Sequence, residues 1–329
     1  MSKKPKVGMW SGLTAVTAVL TAGAIVGTTV AFHYTTTVNN YLDADTYKII
    51  RGDSDEDTEY FKSDFTSDEE RESYEAELCA QVEAEGAALL KNDNNALPLA
   101  SGAKVSLFGH GSVDLMYGGT GSGSVDTSKA PNFKQALEDQ GIQVNSTLWD
   151  LYSSDDMMKN YSRITPAAIS DTLEANTQYA VNEAPWSKLS SAESSFADYG
   201  DAAIVVFSRS GGEGADLPSG ENGTNDSWIK GQEGDGNYLA LSAEEKELLQ
   251  NLKTLKDNGT FKKVIVLINS SNAIEMDFLN PEICGEDYGI DSAMWIGDVG
   301  QTGINGVAQL LAGEVTPSCL LYTSDAAAD

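Results

Sequence analysis

Basic side chains are scarce in this 329-residue chain, which carries 21 lysines and arginines against 50 aspartates and glutamates, a formal net charge of −29. A surface of this sign repels phosphate backbones, so we expect no nucleic acid among its partners. Histidine is scarcer still, with two residues in all. Because His33 ends an apolar run, only His110 remains for a Ser–His–Asp triad or a histidine-ligated metal site. The composition leaves carboxylate chemistry open, and we expect no metal and no cofactor.

Cysteine is also rare, with three residues spread along the chain at Cys79, Cys284 and Cys319. No CxxC pair occurs, so the spacing indicates neither a disulfide framework nor a zinc knuckle. We interpret the three as isolated thiols with no shared role.

The amino terminus lacks charge from residue 7 to residue 32, and Lys3, Lys4 and Lys6 precede this stretch. About 20 apolar residues span a bilayer, so the run predicts a transmembrane signal anchor. The basic flank predicts a single-pass membrane protein with everything after Phe32 outside the cytoplasm. A cleaved signal peptide is the alternative, although its small-x-small site at 22–24 falls inside the apolar run.

An acidic stretch follows, which we interpret as a solvated stalk. Residues 53–57 (DSDED) resemble the opening of a calcium-binding loop. However, Thr58 stands where such a loop needs glycine, and Asp64 stands in place of its bidentate glutamate. A spacer therefore fits the stretch better than a calcium site does.

The pattern changes to that of a helix at Ser67. Ser67 and Glu70 have the spacing of a capping box. Tyr74, Leu78 and Val82 then recur every four residues. We predict an amphipathic helix that runs to about Leu90.

Beyond Lys91 short β-branched apolar runs alternate with helical patterns. Ser242 and Glu245 form a second capping-box pattern, ahead of a leucine-rich helix that Gly259 ends. Buried strands that alternate with helices predict an α/β fold, a mostly parallel sheet covered by helices on both faces. The predicted strands are 104–108, 142–144, 202–207, 263–268 and 292–296, and further helices are predicted at 132–140 and 303–311.

Ligands bind at the carboxyl ends of the strands in open parallel sheets, so the residues after each strand locate the site. The glycine-rich loop after the first strand fails as a dinucleotide fingerprint because Asp114 replaces the third glycine. It fails as a P-loop because Ser124 stands where lysine is needed. Two other interpretations remain: glycines that serve only tight turns, and a nucleotide-dependent enzyme.

Glu213 follows the central strand and lies between two glycines, Gly212 and Gly214. Residues 211–238 run on without a regular pattern and are rich in glycine, asparagine and aspartate. Loops of this length in compact domains are usually functional or disordered. Glu213 is therefore either a general acid/base or a solvated surface acid.

Seven short motifs, taken in order, resemble the second (α/β sandwich) domain of family-3 glycoside hydrolases, the β-glucosidase and β-xylosidase group. The resemblance covers about residues 83–318, and the motifs are specific because they stand in register. They are 85–92 (EGAALLKN), 97–99 (LPL), 118–123 (GGTGSG), 212–216 (GEGAD), 239–245 (LALSAEE), 263–269 (KVIVLIN) and 312–318 (AGEVTPS).

The resemblance implies a retaining hydrolase of terminal β-glucosides or β-xylosides in which Glu213 is the acid/base. It also implies a carbohydrate-binding rim around the glycone pocket. The expected contributors are Gly119, Thr120, Gly121, Ser122, Arg209 and Asp216.

Two departures from the family shape the expected domain organisation. The family's nucleophilic aspartate lies on a separate (β/α)₈ barrel, and no such domain precedes residue 83. The chain resembles members with reversed domain order and a membrane anchor, cut before the barrel, and residues after Ser318 leave the family pattern. We expect this fragment alone to be inactive. A non-catalytic cell-surface carbohydrate-binding or scaffold module is the alternative. The expected segments are anchor 1–35, stalk 36–66, α/β sandwich domain 67–318 and a non-native tail 319–329.

Overall fold

The structure is a computed structural model that describes residues 7–42, 63–164, 180–213 and 237–318. The chain divides into two compact units, Met1–Asp64 and Phe65–Asp329. Several predicted features fall outside the described residues: the basic tip 1–6, most of the acidic stalk, residues 214–236 of the long loop including Asp216, and the tail 319–329.

The first unit contains helices α1 (Val7–His33) and α2 (Thr35–Tyr41). Within the described residues, one helical segment, Trp10–His33, is long and apolar enough to cross a membrane, and a signal sequence has the same character. Threonines in α1 donate their hydroxyl hydrogens to the carbonyl four residues earlier, over 2.7–2.9 Å. This bonding satisfies the hydroxyls within the helix, which suits them to an apolar environment. These threonines are Thr14, Thr17, Thr28 and Thr29.

The described part of the second unit contains one six-stranded sheet with the strand order β1-β6-β5-β4-β2-β3. The edge strand β1 is antiparallel to β6, and the other neighbours are parallel. The predicted mostly parallel α/β sheet is therefore confirmed. The strands are β1 (Ala88–Asn92), β2 (Lys104–Phe108), β3 (Gln143–Val144), β4 (Ala202–Ser208), β5 (Val264–Asn269) and β6 (Ser292–Trp295).

Helices lie on both faces of this sheet because its central strands are apolar on both sides. Along β4, Ile204 and Val206 pack into one core, whereas Val205 and Phe207 pack into the other. This alternation follows from the two-residue period of a strand. The helices are α3 (Asp68–Gly86), α4 (Phe133–Asp139), α5 (Ser146–Tyr152), α6 (Asp155–Asn160), α7 (Ala243–Asp257), α8 (Pro281–Cys284) and α9 (Ile304–Ala312).

Helix α7 begins at the predicted capping box. The Ser242 hydroxyl accepts a hydrogen bond from the Glu245 N–H, and the Glu245 carboxylate accepts one from the Ser242 N–H. Leu248 and Leu252 on the same helix are buried in the core. Gly259, with φ of 85°, follows the helix and adopts the left-handed conformation that favours glycine.

Two predictions about the region around α3 are wrong. The helix ends at Gly86 rather than near Leu90, and Ala88–Asn92 is the edge strand β1. The spaced stripe Tyr74, Leu78 and Val82 is also not the buried face, since these side chains are 51%, 43% and 61% exposed. The helix instead packs through small residues, because a close approach to Gly306 of α9 leaves no room for larger ones.

Candidate active site

The loops after β2, β5 and β6 are held together at the carboxyl edge of the sheet by Asn269, the last residue of β5. Its side-chain oxygen accepts a hydrogen bond from the Met116 N–H at 2.6 Å. Its amide nitrogen donates to the Met116 oxygen at 3.0 Å and to the Gly297 oxygen at 2.7 Å. The side chain is fully buried, so these three bonds link the loops in a low-dielectric setting. The sequence placed Asn269 after a strand but gave no sign of this role.

Glu213 contacts the glycine-rich loop directly. Its Oε2 accepts hydrogen bonds from the Ser122 N–H at 2.8 Å and from the Ser122 hydroxyl. The Thr120 hydroxyl donates to the Glu213 backbone oxygen at 2.9 Å. The structure thus brings Glu213 together with the loop for which the family resemblance implies a sugar-binding rim.

Two glycines make this contact possible. A Cβ on Gly121, where φ is 67°, would lie 2.7 Å from Glu213 Oε2 and 2.9 Å from Glu213 Cβ. A Cβ on Gly212 would lie 2.7 Å from the Thr120 nitrogen. Real Cβ atoms do not approach other atoms so closely, which explains why glycine occupies both positions. Gly119 lies at the same contact between the loops, where a Cβ would be 3.4 Å from the Gly211 oxygen.

The charge state of Glu213 follows from these contacts. The Ser122 hydroxyl first, and the Ser122 N–H second, stabilise the carboxylate and hold the pKa of Glu213 below its usual value. A general acid needs a proton in its resting state, so this environment favours the base form of the residue.

Arg209 lies beneath the site rather than in it. The side chain is fully buried and makes two parallel hydrogen bonds of 2.8 Å to Glu245. Its remaining N–H groups donate to the backbone oxygens of Tyr238 at 2.7 Å, Ala240 at 2.7 Å and Ser208 at 3.0 Å. All five guanidinium N–H groups therefore have protein acceptors. This geometry differs from the expected sugar contact: Arg209 joins the end of β4 to the chain that re-enters at 237.

A second buried polar cluster lies beside Arg209. His110 Nε2 accepts the Arg163 N–H at 3.1 Å, which leaves the ring proton on Nδ1, 3.3 Å from Glu183 Oε2. The Arg163 guanidinium bonds Ser208 Oγ at 2.9 Å and lies 3.2 Å from Asp114 Oδ1. The sequence contained no signal for this cluster, because the bonded partners stand 45 to 73 residues apart.

Glu83 on α3 and Asp298 after β6 form a further perturbed pair. Burial, and then the charge of Asp298, raise the pKa of Glu83 to about 8. Burial also raises the pKa of Asp298, against the hydrogen bond that the carboxylate accepts from the Ser271 N–H at 3.1 Å. Neither residue contacts Glu213 through a described bond.

Within the described residues, the carboxyl edge therefore presents the exposed Glu213 carboxylate on a rim of glycine and hydroxyl groups. Gly119, Thr120, Gly121 and Ser122 lie at this rim, and Asp216 lies outside the described residues. An exposed carboxylate in such a setting can accept or donate a proton, and the glycine-rich backbone offers close approach to a polar ligand.

Comparison with known proteins relates this chain to one family and to two beta-glucosidases. Residues 87–326 match the glycosyl hydrolase family 3 C-terminal domain. The chain is 30% identical over 244 residues to a beta-glucosidase of Ruminococcus albus, covering 73% of this chain and 22% of that protein. It is 30% identical over 268 residues to beta-glucosidase A of Butyrivibrio fibrisolvens, covering 76% and 28%. The chain thus spans about a quarter of the length of these relatives.

Solved structures show the same likeness. A beta-glucosidase from Paenibacillus barengoltzii matches with a TM-score of 0.54 and 29% identity, covering 74% of this chain and 23% of that one. Beta-glucosidase 3B from Thermotoga neapolitana, in complex with alpha-D-glucose, matches with a TM-score of 0.54 and 25% identity, covering 75% and 30%.

Proposed function

Because the chain belongs to glycosyl hydrolase family 3 through its C-terminal domain, we propose that it supplies the acid/base half of a β-glucosidase-type active site, with Glu213 as the acid/base. The observation that carries the proposal is the exposed Glu213 carboxylate, which the GGTGSG loop holds at the carboxyl edge of a parallel sheet.

The proposed reaction is a retaining double displacement. A carboxylate nucleophile attacks the anomeric carbon while Glu213 protonates the departing glycosidic oxygen. Glu213, now ionised, then removes a proton from the water that releases the sugar from the nucleophile. The two carboxyl groups in retaining enzymes lie only about 5 Å apart, so the nucleophile has to come within that distance of Glu213.

We propose that the nucleophile belongs to a (β/α)₈ barrel domain that these 329 residues do not include. The curated relatives support this, since this chain covers 22% and 28% of their lengths. The substrate class is a terminal β-glucoside or β-xyloside. The fragment by itself is then inactive, and carries Glu213 together with part of the pocket rim.

The first experiment measures hydrolysis of 4-nitrophenyl β-D-glucoside and β-D-xyloside by the longer protein that combines this domain with a barrel. Glu213→Gln is expected to lower kcat for these substrates by about 10²-fold or more, because general acid/base catalysis typically contributes 10²–10⁴-fold. Glu193→Gln, at an exposed glutamate of the same domain, is the matched control and leaves kcat unchanged. Full activity in the Glu213→Gln protein excludes the acid/base assignment.

The fragment provides the complementary measurement. Purified 329-residue chain is expected to release no nitrophenol from either substrate. Release of nitrophenol by this chain that depends on Glu213 refutes the assignment of the nucleophile to another domain. A longer protein that binds glucose but hydrolyses neither substrate supports the non-catalytic module instead.

We also propose that α1 is an uncleaved anchor and that the second unit lies outside the cytoplasm. Support comes from the length and apolar character of Trp10–His33 and from the lysines that precede it. Amino-terminal sequencing of the membrane-extracted protein is expected to begin at or near Met1. A mature terminus near Ile25 identifies a cleaved signal peptide.

A further inference from the structure

The two hydrogen-bond donors of Ser122 both point at a single oxygen of Glu213. The backbone N–H donates to Oε2 at 2.8 Å, and the hydroxyl donates to the same atom. Both bonds are stronger to an ionised carboxylate than to a neutral carboxylic acid, so they stabilise the charged form more. The arrangement is therefore complementary to one protonation state of Glu213.

We propose that Ser122 is a positioning residue that holds the Glu213 carboxylate against the glycine-rich loop and favours its ionised form. The inference rests on the proposed acid/base role of Glu213. It adds that the glycine-rich loop favours the ionised form of Glu213, which acts as the base in the second step, over the protonated form, which acts as the acid in the first.

The glycine-rich loop also contacts the backbone at Gly212 and Glu213. The Thr120 hydroxyl holds the Glu213 backbone oxygen at 2.9 Å. The close approaches of Gly121 and Gly212 leave no space for the two loops to come nearer.

The proton follows a defined route in this scheme. In the first step Glu213 carries a proton, which it gives to the glycosidic oxygen. After that transfer the carboxylate is ionised, and the Ser122 hydroxyl and N–H both stabilise it. In the second step Glu213 takes a proton from water and returns to its protonated form. Ser122 thus favours the ionised form between the two steps and opposes protonation of the resting enzyme.

The direct test is the pKa of Glu213 in the 329-residue chain, held in detergent and labelled with ¹³C at glutamate side-chain carboxyls. The Glu213 signal is assigned by its absence in Glu213→Gln. Ser122→Ala removes the hydroxyl and keeps the backbone N–H, so the pKa of Glu213 is expected to rise toward the usual glutamate value. Ser124→Ala, two residues along the same loop, is the matched control and leaves that pKa in place. An unchanged Glu213 pKa in Ser122→Ala overturns the proposal.

A second readout separates positioning from a structural role. Ser122 is exposed, so Ser122→Ala is expected to unfold at the same temperature as the parent chain. In the longer protein, the alkaline limb of the kcat/KM profile reports loss of the proton from the acid, and it is expected to move to higher pH in Ser122→Ala. An unmoved limb contradicts the proposal.

Two outcomes distinguish this inference from the proposed function. If Glu213→Gln abolishes turnover while Ser122→Ala shifts neither the pKa of Glu213 nor the alkaline limb, this inference fails and the proposed function stands. If Glu213→Gln retains turnover, the proposed function fails whatever Ser122→Ala does.

Discussion

Arg209 and Glu245 form a fully buried ion pair through two parallel hydrogen bonds of 2.8 Å, although 36 residues separate them along the chain. The same Glu245 carboxylate caps helix α7 through the Ser242 N–H at 2.8 Å. One glutamate thus joins the end of β4, the start of α7 and the chain that re-enters at 237. The loop that carries Glu213 begins directly beyond Arg209.

Breaking this pair is expected to destabilise the domain strongly. Arg209→Met leaves Glu245 charged and buried without its partner, which typically costs about 3–5 kcal/mol of unfolding free energy. Urea unfolding followed by circular dichroism measures the change. Lys253→Met breaks partly exposed pairs with Asp257 and Asp287 and, as the control, costs at most about 1 kcal/mol. Equal costs for the two variants contradict this account of Arg209.

Glu83 is expected to make stability fall as pH rises. The raised pKa keeps a proton on Glu83 in the folded state up to about pH 8, whereas the unfolded chain releases it near the usual glutamate pKa of 4.5. The folded state therefore binds more protons between these values, and unfolding free energy declines by at most about 1.4 kcal/mol per pH unit there. Glu83→Gln is uncharged in both states and is expected to lose most of this dependence. If the unfolding free energy varies with pH in the same way in the parent and in Glu83→Gln, a raised pKa of Glu83 is excluded.

Asn269 is expected to control the loop after β2. Asn269→Ala leaves the buried N–H of Met116 without its acceptor, at a cost of about 1–3 kcal/mol. Hydrogen exchange at the Met116 amide is expected to accelerate. Asn251→Ala provides the control, because Asn251 makes one exposed bond to its own helix and its loss leaves Met116 unaffected. Unchanged exchange in Asn269→Ala refutes the link between the two loops.

Gly121 is expected to tolerate no side chain. Gly121→Ala places a Cβ against the Glu213 carboxylate and adds the strain of a positive φ, so the bonds to Ser122 are lost and the pKa of Glu213 rises. Gly123→Ala has open space around its Cβ and leaves Glu213 unchanged. Carboxyl NMR titration compares the two variants. A Glu213 pKa that is the same in both contradicts the close packing of the loops.

The sequence predicted the features that depend on local pattern. Strands β4 and β5 were recognisable because every residue in them is buried, so each reads as a continuous apolar run. The capping box of α7 was recognisable because both of its partners lie within one turn. The loops at the carboxyl edge could be located because parallel strands end on the same side of a sheet.

The features that the sequence did not predict depend on partners distant along the chain. Nothing in the neighbours of Arg209 indicates that Glu245 removes it from solvent. His110 and Glu183 meet across 73 residues. The stripe from Tyr74 to Val82 has helical spacing, but that spacing does not say which face a neighbouring helix covers. Close packing of α3 against Gly306 decided this.

The central claim is that Glu213 is the acid/base of a retaining glycosidase, and azide rescue tests it most directly. Glu213→Gly in the longer protein removes the base that activates water, so the glycosyl-enzyme accumulates from an activated aryl β-glucoside. Azide needs no base, and it is expected to restore turnover and to yield a β-glucosyl azide. The control Glu193→Gly is expected to give free glucose with or without azide. Turnover of Glu213→Gly that azide does not accelerate, or a product of α configuration, would contradict the claim.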